Sequence, residues 1–198
     1  QAYAGHIQHI ADYGARQVAA TAAMEEAKAV AAGLTADGFE VSMITGAGTG
    51  THDIDAGSGT YTELQVGSYL FMDGDYARNE ADPAQPAFEH ALFVKTQVMS
   101  ASAGHVVVDA GHKSHAIDSG LPRVHGEALE ATGCSDEHTT LRATGQAPLP
   151  ALGSTLWLIP GHCDPTVNLH DWMVGVRGGL QAGTVEELIR VDTRGCLD

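Results

Sequence analysis

Phe39-Glu40-Val41-Ser42-Met43-Ile44-Thr45-Gly46-Ala47-Gly48-Thr49-Gly50-Thr51 is the stretch that decides the fold class. Its first six residues read as a strand that runs into a loop of glycine and threonine. Upstream, residues 11–33 are rich in Ala, Met, Glu and Lys. Val18, Ala22, Glu25 and Val30 fall in a helical register there, and Gly33 is the expected stop. Residues 1–5 read as the end of an earlier strand. Strand, helix, strand and glycine-rich loop together are the pattern of an α/β unit that holds a ligand at its strand ends. Residues 62–69, followed by Phe71-Met72-Asp73, repeat the unit in shorter form.

The character changes at Asp82-Pro83-Ala84-Gln85-Pro86. Beyond this connector the apolar runs are short and β-like, at residues 91–100, 104–109 and 155–159, with Gly and Pro between them. The boundary is expected near residue 85. Residues 1–84 read as the second part of a (β/α) barrel and residues 85–198 as a mostly β domain.

The 198 residues suffice for one large domain or two small ones, and the apolar share of 43% is enough for a core. A formal charge of −15 argues against nucleic acid and anionic membrane surfaces as partners. The cysteines are Cys134, Cys163 and Cys196. An odd count without pairing rhythm points to a reducing compartment, hence the cytoplasm. Eleven histidines, several beside acids, fit metal or acid–base chemistry. The chain opens on Gln1 without an initiator Met, as the middle of a longer polypeptide would.

Five groups could carry chemistry. In residues 46–51, small residues expose backbone N–H groups and the threonines add hydroxyls, which suits a phosphate or carboxylate; a tight glycine turn is the plain alternative. No Gly-Lys-Ser/Thr follows, so this is not a P-loop. Gln65-Val66-Gly67-Ser68 offers a second small-residue turn, and two such loops from neighbouring strands can hold one phosphate. Asp109-Ala110-Gly111-His112-Lys113 ends an apolar run, with Lys113 either a Schiff-base lysine or a surface one. The polar Ser135-Asp136-Glu137-His138 is a functional cluster or a solvated loop. Finally, Thr155-Leu156-Trp157-Leu158-Ile159 reads as a buried strand stopped by Pro160, with Gly161-His162-Cys163-Asp164 beyond it. If that segment is extended, His162 and Asp164 share a face and can close on Mg, Mn or Zn. Otherwise they bond to the backbone of a turn.

Residues 45–51, 65–73, 108–113, 135–138 and 160–169 occur in that order. Together they resemble the carboxyl-terminal half of the metal-activated, pyridoxal-phosphate-dependent family of D-threonine aldolase, D-3-hydroxyaspartate aldolase and D-serine dehydratase. Gln1-Ala2-Tyr3-Ala4-Gly5-His6-Ile7-Gln8-His9 is similar to a mid-barrel strand of that family. The resemblance implies an alanine-racemase-like fold, a pyridoxal-phosphate (β/α) barrel followed by a β domain, usually dimeric. It implies that Gly48, Thr49, Gly50 and Thr51, with Gly67 and Ser68, hold the cofactor phosphate. Gln65 would lie beside the pyridine nitrogen and Tyr3 against the ring. His162 and Asp164 match the family's metal pair, with Mg or Mn favoured over Zn, and His162 is the one residue here with a catalytic part. The family's Schiff-base lysine lies upstream, and none of Lys28, Lys95 or Lys113 sits in its motif. An amino-terminal segment or chain is therefore expected to supply it.

The implied reaction cleaves a β-hydroxy-D-amino acid between Cα and Cβ. D-3-hydroxyaspartate would give glycine and glyoxylate; D-threonine would give glycine and acetaldehyde. Dehydration is the alternative, since the family's dehydratases tend to carry a thiolate as second ligand and a shifted register would make it Cys163. A cofactor-free metal-binding module is a further alternative. His112, Lys113, His115 and Arg123 could meet a substrate's distal carboxylate, or only balance surface charge.

Overall fold

Asp12 starts the long helix of the chain: its carboxylate accepts the Ala15 N–H at 2.6 Å. The computed structural model describes residues 1–85 and 87–196, which form two compact units, Gln1–Glu89 and His90–Asp198. The helix, α1 (Tyr13–Ala36), buries Arg16, Ala20 and Met24, one residue per turn. Ala20 and Met24 pack with Ile7, and Ile54 and Tyr61 lie against that cluster. Val18 and Val30 on other faces stay exposed. Gly33 does not stop the helix; one interior glycine costs only about 1 kcal/mol. The stop is Gly38, at φ +91°. Its N–H reaches the Thr35 carbonyl and the Phe39 N–H reaches Leu34, both at 3.0 Å, a left-handed closure of the last turn.

The expected strand at 39–44 is also corrected. Only β1 (Thr45–Gly46) forms, pairing in parallel with β2 (Glu63–Leu64). Ala2 makes a parallel bridge to Gly46 on the other side. Phe39 and Met43 are exposed, and the bonds that tie this segment to the one before β2 begin at Ile44, which accepts the Thr62 N–H at 2.9 Å. An alternating pattern alone does not make a strand without a neighbour to complete the ladder. A short helix, α2 (His52–Ala56), links β1 to β2. This unit is thus a piece of parallel α/β structure, with the loops after β1 and β2 beside one another.

The second unit is a closed barrel of six antiparallel strands. They are β3 (Val94–Ala101), β4 (Val106–Val108), β5 (Arg123–Val124), β6 (Leu129–Cys134), β7 (Thr139–Ala143) and β8 (Thr155–Ile159). The order is β3-β4-β7-β6-β5-β8, and β3 closes on β8 with Val94 opposite Leu158. Val98, Val106, Val108, Leu141, Leu156 and Leu158 fill the interior. β8 ends at Pro160 as expected, because proline has no N–H for the ladder. Beyond it lie α3 (Cys163–Asn168) and a two-stranded antiparallel hairpin, β9 (Trp172–Arg177) and β10 (Thr184–Arg190). No helix among the described residues is long and apolar enough to cross a membrane.

Candidate functional site

In the first unit the loop after β1 folds onto Gln8. The fully buried Gln8 side chain accepts the Gly50 N–H at 2.9 Å and donates to the Thr51 hydroxyl at 3.0 Å. Thr51 in turn donates to Asp55 at 2.5 Å. Burial pushes the Asp55 carboxyl up, against the effect of the Thr51 bond. The Gly50 N–H and Thr51 hydroxyl, expected to meet a phosphate, are therefore engaged inside the unit. The glycines here answer to space: a Cβ on Gly50 would stand 2.0 Å from the Gln8 carbonyl oxygen, and one on Gly48 would stand 2.5 Å from Gln8 Oε1 and 3.0 Å from the Tyr3 ring.

Thr49 ties the two loops together by accepting the Tyr69 N–H at 3.0 Å. Tyr69 lies in the 3-10 turn Ser68–Leu70. Gly67, just before it, is exposed, and no atom lies within 4 Å of where its Cβ would stand. Ser68 is half-buried and bonds to Tyr76. Burial pushes the Tyr76 phenol far up, and the nearby Tyr3 phenol adds to this. Tyr3 is half-exposed, and Gln65, also exposed, accepts the Gln1 side-chain amide at 3.0 Å. The structure thus gathers Tyr3, Gly48, Thr49 and Ser68 around Tyr76 and the two loops. Gly67 and Ser68 form the open edge, and their donor set fits a phosphate.

In the second unit His162 is not in a continuous extended run. It keeps extended angles but caps α3, and Cys163 and Asp164 are the first residues of that helix. Cys163 is buried, at 2% exposure, whereas Asp164 is exposed. His162 Nδ1 lies 2.6 Å from Asp118 Oδ2. Burial acts to raise the Asp118 carboxyl, but the bond and charge of His162, with bonds from its own backbone and from Ser119, hold it below its usual range. Thr166 locks the arrangement: its hydroxyl donates to the His162 carbonyl at 2.6 Å and accepts the Ala116 N–H at 3.0 Å. Gly161 has no room for a side chain, since a Cβ would stand 2.1 Å from the Gly120 oxygen. A hollow of about 340 Å³ opens beside Asp118, lined by His112, Ala116, Ile117, Pro165 and Leu169.

Among the described residues no group of three or more His, Cys, Asp or Glu side chains could hold one ion. His162 and Asp164 fit a metal that keeps several waters, as Mg does, better than a closed Zn cage. The basic residues considered for a distal carboxylate have other occupations. Lys113 pairs with Glu137 at 2.9 Å and His112 with Asp136 at 3.1 Å. His115 is fully buried and donates to the Thr139 hydroxyl at 3.3 Å, because that hydroxyl itself donates to Ala110. Arg123 stays exposed on β5. Reasoning from sequence missed Gln8, Tyr76, Asp118 and Thr166. Thr166 and His162 share one turn of a helix, a relation that recognising α3 would have given. Asp118 lies 44 positions from His162, a separation no motif spans.

A parallel α/β piece followed by an antiparallel barrel defines the alanine-racemase-like class. An alanine-racemase-like protein of Idiomarina loihiensis superposes with a TM-score of 0.69 at 17% identity, over 87% of this chain and 50% of that one. Residues 91–176 match the family described as a putative serine dehydratase domain. A D-threonine aldolase of Arthrobacter sp. is 45% identical over 98% of the chain and 51% of its own length. A 3-hydroxy-D-aspartate aldolase of Paracoccus denitrificans (strain Pd 1222) is 42% identical over 98% and 50%. The crystal structure of D-threonine aldolase from Filomicrobium marinum superposes with a TM-score of 0.94 at 45% identity, over 100% of this chain and 54% of that one. Over essentially its whole length the chain is similar to the carboxyl-terminal half of these aldolases, and residues 91–176 carry the match to the serine dehydratase domain. It spans about half the length of the curated relatives it matches.

Proposed function

We propose that this chain is the metal-binding and phosphate-binding half of a pyridoxal-phosphate-dependent carbon–carbon lyase. Its substrates are β-hydroxy-D-amino acids, cleaved to glycine and an aldehyde or oxo acid. The observation that carries the reading is the start of α3, where the Asp164 carboxylate is exposed and the Cys163 thiol is buried. The ligand beside His162 is then an oxygen rather than a sulfur, which favours Mg or Mn. A hard ion would supply the positive charge that aldol cleavage calls for at the β-oxygen. The shifted register that would bring in Cys163 and favour dehydration requires turning that thiol out of its burial.

Bound pyridoxal phosphate supplies an electron sink for the breaking bond, and a bound divalent ion supplies positive charge at the β-oxygen. The Ser68 hydroxyl and the turn at Gly67 bind the phosphate, and the 48–51 loop backs that turn through Thr49. Tyr3 lies against the ring, and the uncharged Gln65 serves the pyridine nitrogen without adding a positive charge there. His162 Nε2 and the Asp164 carboxylate hold the ion. An amino-terminal segment supplies the lysine, and the complete protein is a cytoplasmic homodimer with neither nucleic acid nor membrane as partner.

Both relatives' substrates stay open to this site. With His112 and Lys113 paired to acids, Arg123 is the basic group that supports an acidic β-substituent. Product analysis on the complete protein tests the reading. D-3-hydroxyaspartate should give glycine and glyoxylate, and D-threonine should give glycine and acetaldehyde. Oxaloacetate and ammonia from D-3-hydroxyaspartate would replace the aldolase by a dehydratase.

A further inference from the structure

We propose that Asp118 is the positioning residue for the metal ligand His162: it holds Nδ1–H so that Nε2 is the nitrogen offered to the ion. The proposal rests on the metal reading above and goes beyond it, because Asp118 belongs to no motif of the sequence. A neutral imidazole carries one proton, and the partner of one nitrogen decides the role of the other. Here the partner of Nδ1 is a carboxylate at 2.6 Å, a short, charge-assisted contact. Ser119 Oγ, at 3.5 Å from the same nitrogen, is at the limit of bonding. Ligating histidines commonly carry such a carboxylate on the nitrogen away from the metal, which fixes ring orientation and raises basicity.

The surrounding backbone shows that the pairing is built rather than incidental. The Asp118 loop is fastened to the start of α3 on both sides of the carboxylate. On one side the Ala116 N–H bonds to Thr166, whose hydroxyl also holds the His162 carbonyl. On the other, Gly120 and Gly161 approach so closely that neither chain can move inward, and the Gly120 N–H closes a turn on Ile117 at 3.1 Å. A ligand held through packing and a supporting bond keeps its geometry before the ion arrives.

The test titrates Mn²⁺ into the complete protein by calorimetry, for wild type, His162→Ala, Asp118→Ala, Asp118→Asn and Asp118→Glu. His162→Ala should abolish binding. Asp118→Ala should weaken it by roughly 10–100-fold, the range for such supporting partners. Asp118→Asn keeps an acceptor oxygen without the charge and should fall between. Asp118→Glu should recover most of the affinity. Without metal, long-range ¹H–¹⁵N spectra should show His162 protonated on Nδ1 in wild type and a tautomer mixture in Asp118→Ala, a change that loss of packing alone would not produce. If Asp118→Ala fails to fold, the Asn and Glu variants carry the comparison. Wild-type affinity in the Asp118 variants, with binding lost in His162→Ala, overturns the positioning role and leaves the metal reading standing. Wild-type affinity in His162→Ala overturns both.

Discussion

Gly161→Ala joins the barrel's packing to the candidate metal site in one methyl group. The added Cβ would stand 2.1 Å from the Gly120 oxygen and 3.0 Å from its carbonyl carbon, whereas ordinary contact begins at 3.4 Å. Both obstructing atoms are backbone, so the segments must part by more than an ångström. The Gly161 backbone has no positive φ, so the cost is steric crowding and not conformational strain. Crowding a packed site costs ~1–3 kcal/mol. At roughly 4 °C per kcal/mol for a unit of this size, melting should fall by about 4–12 °C. The bond between His162 and the half-exposed Asp118 adds little, since solvent screens it. An outward shift of the 118–120 loop would lengthen it, so Mn²⁺ affinity should fall as in Asp118→Ala. Thermal unfolding followed by circular dichroism, with Mn²⁺ calorimetry beside it, reads both effects. A melting point within about 1 °C of wild type would refute the packing argument, and lost stability with unchanged Mn²⁺ affinity would refute the link from this contact to His162.

Three more outcomes are expected. Chelation should remove most activity and Mg or Mn should restore it; Asp164→Ala should abolish that response while cofactor absorbance persists, and turnover indifferent to chelator would end the metal reading. Gly67→Leu should leave stability within about 0.5 kcal/mol, since nothing lies within 4 Å of its Cβ position, yet lower cofactor affinity by crowding the phosphate approach; unchanged retention on gel filtration would remove the turn from the site. His115 is held below its usual range mainly by burial. Its folded value lies below the unfolded ~6.5, so its contribution is present above that pH and is lost as pH falls from there through the folded value. Thermal melts should therefore weaken below pH 6.5, less so in His115→Gln, and equal slopes in the two proteins would rule His115 out.

The barrel was legible where burial imposes a period of two. Val106 and Val108, and Leu156 and Leu158, point inward as alternation requires, and β8 begins and ends where the sequence placed it. β6 and β7 were not legible, because each presents a single large buried side chain, Leu129 and Leu141, too little to make a pattern. The hairpin of β9 and β10 keeps Trp172, Val174, Val185 and Leu188 exposed, so no buried face marked it. Residues 39–44 erred the other way, with an alternating pattern but no neighbouring strand. His162 and Asp164 stood out by residue type and spacing. The helix that carries Asp164 had its own signal, since Asp164 and Pro165 both fall in the first turn, where an acid meets the free N–H groups and proline needs no donor.

On the proposed metal reading, that helix start bears on which side chain stands as the second ligand beside His162. Successive residues at a helix start are turned by about 100°, so Cys163 and Asp164 cannot face the same way. Cys163 is buried, and Asp164 is left exposed on the same turn. A strand at the same place would also have separated them, but by alternation that pairs His162 with Asp164 and leaves the next register equally available. The helix closes that option, because Thr166 bonds back to the His162 carbonyl and fixes the phase of the first turn. Exchanging the oxygen ligand for the sulfur would mean unwinding α3, breaking the Thr166 bonds to His162 and Ala116, and exposing a buried thiol. Under the proposed metal reading, one hydroxyl three positions beyond Cys163 thus supports an oxygen ligand over a sulfur one, and with it the proposed cleavage of the Cα–Cβ bond over loss of the hydroxyl group.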